Sequence, residues 1–394
     1  MKNIIDEGIK DMKKFETAPV LTQEQLKDAF HQALKKIDEN LETFTYKFPA
    51  SASKNNVYPA VDNTDWSSSF WTGMLWLAYE MTGDEKYRKV AEIHLDSFKE
   101  RIEEGKHIDT HDLGFLYSLS CVAAYKLTGN EDAKETALKA ANHLIGRYKE
   151  KGEFIQAWGS IHDPKNYRLI IDCCMNLPLL YWASEVTGDM KYHEIAYKHL
   201  KTAMATVIRE DASTYHTFYF DPDTGAPLKG VTHQGYSDDS CWSRGQAWGI
   251  YGLPLSYVYT KDKEIIEVYK KITNYFLNRL PEDYIPYWDL IFTSGDEPRD
   301  SSAATIAVCG MLEMDQWLDE KDPMKKIYSN AVQLILKSLM DNYTTKDMPE
   351  SNGLLLHAVY GKPQGNGVDE CNIWGDYYYM EALVRLMKDW KRYW

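Results

Sequence analysis

The chain has 394 residues, 44% of them hydrophobic and 26% charged, which excludes a disordered protein and leaves ample apolar material for a core. A formal net charge of −14, with no basic run, excludes a general nucleic-acid binder. Met1 to Thr17 lacks the apolar core of a signal peptide, and no later run is long enough to span a membrane.

The six cysteines form neither CxxC pairs nor a disulfide framework, so thiols in a reducing, cytoplasmic compartment are expected. No Pro-, Gly- or Ser-rich linker divides the chain, which predicts a single domain over 1–394.

In chain order, a helix around Gln23 to Thr43 precedes a series of repeats. Trp71 to Leu95, Tyr117 to Leu144 and Leu177 to Leu200 share one pattern: an apolar helix, a T-G-D/N turn, then an amphipathic helix. Gly83, Gly129 and Gly188 stand where a helix end favours positive φ, and the Asp or Asn that follows suits the next N-cap. Weaker copies run from Gly252 to Phe276 and from Gly310 to Leu336, with a sixth apolar helix at Tyr377 to Trp390. A helix apolar all round must be buried. Six such pairs predict an all-α (α/α)6 barrel, with the N-terminal helix as the last outer partner.

Trp66, Asp112, Asp172 and Arg244 lie 16 or 17 residues ahead of Gly83, Gly129, Gly188 and Lys261. Equal offsets put all four at one height, near the N-terminal ends of the inner helices. The matching part of the fifth copy holds Arg299, Asp300 and Ser301. An aspartate here can also be a simple helix cap. Apolar neighbours in LIIDCCMNLPLL should desolvate Asp172 and raise its pKa, as a general acid requires. Trp66, Trp71, Trp158, Trp242 and Trp248 fall in insertions or at inner-helix starts, where flat rings suit sugars. His107 to Asp112 alternates His and Asp without a zinc spacing, so no metal is assigned. No phosphate-loop, dinucleotide or nucleophile-elbow motif calls for a cofactor.

HDLGF at 111–115 and IIDCCMNLPLLYWAS at 170–184 resemble the two signature regions of unsaturated glucuronyl hydrolases, glycoside hydrolase family eighty-eight. YHTFYFDPDTG at 215–225, THQGYSDDSCWSRGQAWGIYG at 232–252 and DSSAA at 300–304 are similar to that family's later motifs. The resemblance implies an (α/α)6 barrel, no metal, and an unsaturated uronyl oligosaccharide as substrate. It implies Asp172 as general acid and base, and Asp112 as the second essential aspartate. It implies substrate contacts from Trp66, His111, Trp158, His216, Gln234, Arg244 and Trp248. Arg244 could hold the substrate carboxylate in its planar fork, or could instead orient an aspartate.

Some family members favour sulfated sugars through a stretch bearing serine and lysine. The comparable 357–370 has Lys362 but no serine, which points to unsulfated or weakly sulfated substrates, with His357 as a further candidate at the site. An unsaturated rhamnogalacturonyl hydrolase fits the same motifs, although the aromatic-rich insertions before Arg244 favour glucuronyl substrates. A non-catalytic helical scaffold predicts no pair of acids in apolar settings. An epimerase or ordinary glycosidase on the same toroid would act on saturated sugars.

Overall fold

The computed structural model describes residues 3–394. Helix α1 (Gln23–Asn40) is followed by the pair α2 (Ser68–Thr82) and α3 (Glu85–Glu103). The next inner helix is broken into α4 (Leu113–Tyr117), a π-helical turn (Ser118–Val122) and α5 (Ala123–Thr128); its outer partner is α6 (Glu131–Gly146). Then come α7 (Leu177–Thr187) with α8 (Met190–Thr206), α9 (Ser243–Thr260) with α10 (Lys263–Leu277), and α11 (Ser301–Asp315) with α12 (Pro323–Asn342). Finally, α13 (Ile373–Met387) packs against α1.

The inner helices touch in the circular order α2, α4, α7, α9, α11, α13 and back to α2. The expected (α/α)6 toroid is thus closed by the N-terminal helix. Burial follows from composition. Every residue of α9 from Ser243 to Ser256 is buried, whereas α10 buries the stripe Ile265, Val268, Tyr269 and Ile272. The sixth inner helix begins four residues earlier than its apolar pattern suggested, because the Asn372 side chain accepts from Gly375 N at 2.9 Å and caps it there.

The T-G-D turn has a physical explanation. Thr82, Thr128 and Thr187 each donate a hydroxyl to the carbonyl four residues back, satisfying a helix-end acceptor. Gly83, Gly129 and Gly188 then take left-handed φ of 69°, 71° and 76°. Asp84, Asn130 and Asp189 accept the first free N–H groups of the next helix. A Cβ at Gly188 would meet nothing within 4 Å, so Gly188→Ala should cost only the backbone strain. We expect a loss of about 1 kcal/mol in chemical denaturation. An unchanged midpoint would mean that the turn relaxes.

Short strands decorate the face bearing the N-terminal ends of the inner helices. They are β1 (Phe48–Pro49) with β2 (Ala60–Val61), and β3 (Tyr148–Lys149) with β4 (Phe154–Ile155). The antiparallel sheet of β5 (Arg168–Ile170), β6 (Thr217–Phe220) and β7 (Pro227–Val231) follows, then the hairpin of β8 (Ala358–Gly361) and β9 (Asn366–Glu370).

The opposite end of the ring is filled. Trp394 is fully buried, lies parallel to Tyr378 at 6.1 Å, and donates its indole N–H to Glu381 at 2.9 Å. Lys126 Nζ donates to the carbonyls of Arg392, Tyr393 and Trp394. Among the described residues, no helix is long and apolar enough to cross a membrane.

Candidate active site

Trp66, His111, Asp112, Trp158, Asp172, His216, Gln234, Arg244 and Trp248 all line one cleft of about 490 Å³ at the decorated end. Ile170, Trp242 and Tyr360 complete its wall. Trp66 precedes α2, His111 and Asp112 precede α4, and Arg244 and Trp248 lie in the first turns of α9. The equal offsets in the sequence therefore correspond to a shared height.

Asp172 follows β5 as the second residue of a 3-10 turn, Ile171–Met175. That turn is tied to the start of β6, because Ile171 N donates to the His216 carbonyl at 3.1 Å. Asp112 accepts the Thr110 hydroxyl at 2.6 Å. His111 stands between the two acids, its Nε2 3.4 Å from Asp112 Oδ1 and 3.2 Å from Asp172 Oδ1. The histidine is buried, while the Asp172 side chain keeps 20% of its surface open to the cleft.

The three groups shift one another's titration. Burial raises the Asp172 carboxyl, but His111, and behind it His216 and Arg244, outweigh burial and hold it below the ordinary range. Burial and the Asp172 charge instead hold Asp112 above its ordinary value, against the pull of His111. Burial pushes His111 down, and the two carboxylates more than restore it, leaving it raised. The expectation of a raised Asp172 is therefore corrected. Its apolar chain neighbours are real, but positive groups from other repeats face it and dominate.

His216 is buried, and its pKa falls to about 3, burial being the main cause. A neutral ring fits its contacts. Gln234 Nε2 lies 3.4 Å from His216 Nε2, and His216 Nδ1 lies 2.7 Å from the Thr217 hydroxyl. With the proton on Nδ1, His216 donates to Thr217 and accepts from Gln234.

Arg244 differs from the fork expected to hold a substrate carboxylate. One terminal nitrogen donates to Asp300 at 3.0 Å and to the Val359 carbonyl. The other donates to Gln234 Oε1 and to the Tyr360 carbonyl, both at 2.6 Å. All four terminal N–H groups are thus spent on the protein. Arg244 lends the cleft its positive charge and braces β8 against α9 and α11. Asp300 also caps α11, accepting from Ser302 N at 3.2 Å. Arg299 stands apart, paired with Asp283 at 3.3 Å.

The aromatic readings divide. Trp158 is 47% exposed, with the Arg168 guanidinium 4.0 Å from its ring centre. Trp66 donates its indole N–H to the Tyr360 hydroxyl at 2.9 Å. Trp248 is buried and packs on Phe115. Trp71, by contrast, is core: it is 1% exposed and turned toward Phe44. His357 also lies outside the cleft, half-exposed and bound to Asp369 at 2.6 Å. Tyr360 was missed because it sits on a strand, where the helical offset rule has no meaning. Trp242, two residues before Arg244, carried an aromatic signal but none that separated it from Trp71.

A closed ring of helix pairs, with one buried and one half-buried acid at its mouth, defines a glycoside-processing (α/α)6 enzyme. The pattern of Glycosyl Hydrolase Family 88 matches residues 37–391. The unsaturated chondroitin disaccharide hydrolase of Streptococcus pneumoniae (strain ATCC BAA-255 / R6) is 51% identical over 395 residues, covering 100% of both chains. The crystal structure of unsaturated glucuronyl hydrolase from Streptococcus agalactiae superposes with a TM-score of 0.98 at 51% identity, again over 100% of both chains. An Asp-to-Asn variant of the S. agalactiae enzyme, complexed with dGlcA-GalNAc6S, superposes with a TM-score of 0.91 at 48% identity over 100% of both chains. The chain belongs to glycosyl hydrolase family 88 and is a glycoside hydrolase.

Proposed function

We propose that this chain, acting as a single domain, removes a 4,5-unsaturated uronic acid from the non-reducing end of glycosaminoglycan oligosaccharides left by a lyase. The observation that carries the reading is the pair Asp112 and Asp172, held on either side of His111 at 3.4 and 3.2 Å, with surroundings that shift their pKa values in opposite directions. The kinship with enzymes for chondroitin disaccharides and dGlcA-GalNAc6S supports this substrate over a pectin-derived one.

Asp172 protonates C4 of the vinyl ether, and positive charge develops at C5. Water gives a proton back to Asp172 and adds at C5. The C5 hemiketal opens to a ketone, leaving a hemiacetal at C1 that releases the remaining sugar as an alcohol. One water is consumed. Carboxylate separation therefore carries no message about retention or inversion. Trp66, Trp158 and Trp248 present ring surface to the sugars, and Gln234 and His216 supply polar contacts. Asp112 holds sugar hydroxyls and the orientation of Asp172.

The lowered Asp172 has a kinetic consequence. An arriving uronate adds negative charge and excludes water, and both raise Asp172. Activity needs its proton, so each profile falls as pH rises through the relevant pKa. The basic limb of kcat/KM, which reports the free enzyme, should lie at lower pH than that of kcat. Coincident limbs would refute the uptake of a proton on binding.

The 357–370 stretch forms the β8–β9 hairpin, whose turn carries the single cation Lys362. A preference for unsulfated or weakly sulfated disaccharides belongs to this proposal. So does cytoplasmic placement, which six buried, unpaired cysteines suit.

The test is ultraviolet absorbance during incubation with unsaturated chondroitin disaccharide, because hydration destroys the conjugated enoate. His111, Asp112 and Asp172 offer ligand atoms within 4.8 Å of one another, so EDTA is included. A falling signal supports the reading. A flat signal here, with a falling one on rhamnogalacturonan-derived disaccharide, replaces the substrate. Two flat signals reject the reading.

A further inference from the structure

Asp112 stands at the N-cap of α4 yet makes no capping hydrogen bond. The aspartates at the N-caps of α3, α8, α10, α11 and α12, namely Asp84, Asp189, Asp262, Asp300 and Asp322, each accept a backbone N–H of their own helix. Those five take the N–H of the second helical residue, whereas the Asn130 cap of α6 takes that of the third. At α4 the N–H of the third residue, Phe115, is already taken: the side-chain oxygen of Asn176 accepts it at 2.7 Å, from the start of α7. The Asn176 amide then donates to the Asp172 carbonyl at 3.2 Å. Asn176 is fully buried. Its backbone also presses on α4, since a Cβ on Gly114 would come within 2.2 Å of the Asn176 Cα.

We propose that Asn176 is a positioning residue that caps α4 from the neighbouring repeat, and so frees the Asp112 carboxylate to face His111 and Asp172. A helix start that lacks an acceptor captures the nearest carboxylate, because an orphaned buried N–H is costly. With Asn176 in place, that demand is met and Asp112 turns into the cleft. The same side chain holds the Asp172 turn, so one amide sets the spacing of both acids. The inference rests on the reading of Asp112 as part of the reacting site.

Asn176→Ala should return Asp112 to capping duty. Turnover should then fall about tenfold or more with KM changed less than about threefold, the scale expected for a displaced reacting group. Stability gives a readout independent of activity. In the otherwise native chain, Asp112→Ala should leave the melting temperature unchanged or higher, because no cap is lost. In the Asn176→Ala background the same change should lower it by about 2 °C, because Asp112 then caps. Asn176→Asp keeps the acceptor for Phe115 N–H, so its kcat should stand several-fold above that of Asn176→Ala. The added negative charge should also move the basic limb of its profile upward.

Equal melting losses for Asp112→Ala in both backgrounds would overturn the proposal, as would an Asn176→Asp variant no better than Asn176→Ala. If Asp112→Ala kept full activity while the melting data behaved as expected, the catalytic reading of Asp112 would fall and the cap exchange would stand.

Discussion

Asp172→Asn should leave the fold intact and lower kcat by about 10²-fold or more, the loss expected when a general acid can no longer transfer its proton. The side chain keeps its size and faces His111 at 3.2 Å, so binding should survive. The check is the enoate absorbance assay under saturating substrate, with circular dichroism as control. His111 and Arg244 favour the Asp172 carboxylate while that carboxylate raises Asp112, so the neutral amide loses one attraction and relieves one repulsion. Turnover within about threefold of the native rate would remove Asp172 from the chemistry and pass the proton to Asp112, the acid whose pKa is raised.

Arg244→Lys is the second large effect. The conserved charge hides a loss of geometry: one ammonium cannot reach Asp300, Val359 O, Gln234 and Tyr360 O together. Buried acceptors left without donors cost about 1–3 kcal/mol each, so a destabilisation of about 3 kcal/mol is expected in chemical denaturation. Activity should fall as well, because Gln234 and Tyr360 are cleft walls that Arg244 fixes. The expected signature is a lower kcat/KM together with an earlier unfolding midpoint. An unchanged midpoint would mean that the brace is not needed, and a kinetic loss alone would restore direct contact with the uronate.

These two residues also mark how far the sequence could be read. The repeat turns register each inner helix, so Asp112, Asp172 and Arg244 could be placed at one height from spacing alone. Side-chain direction could not. The buried Trp71 and the cleft-lining Trp66 lie only five residues apart and look alike in the chain. The pKa of Asp172 was read from its apolar neighbours in sequence, while its decisive neighbours arrive from other repeats. Tyr360 reaches Trp66 across 294 positions and through a hairpin, where helical periodicity is silent. Asn176 sits inside a stretch read only for Asp172, and its partner N–H belongs to a different repeat.

The stopper formed by Trp394 on Tyr378, clamped through Lys126 and Glu381, makes the cleft a cul-de-sac. A polymer cannot be threaded through such a ring, so only a terminal unit can reach the acids. Traffic is two-way through a single doorway. The liberated keto-acid and the shortened sugar must both back out before the next chain end comes in, and either one, accumulating, competes for the same approach.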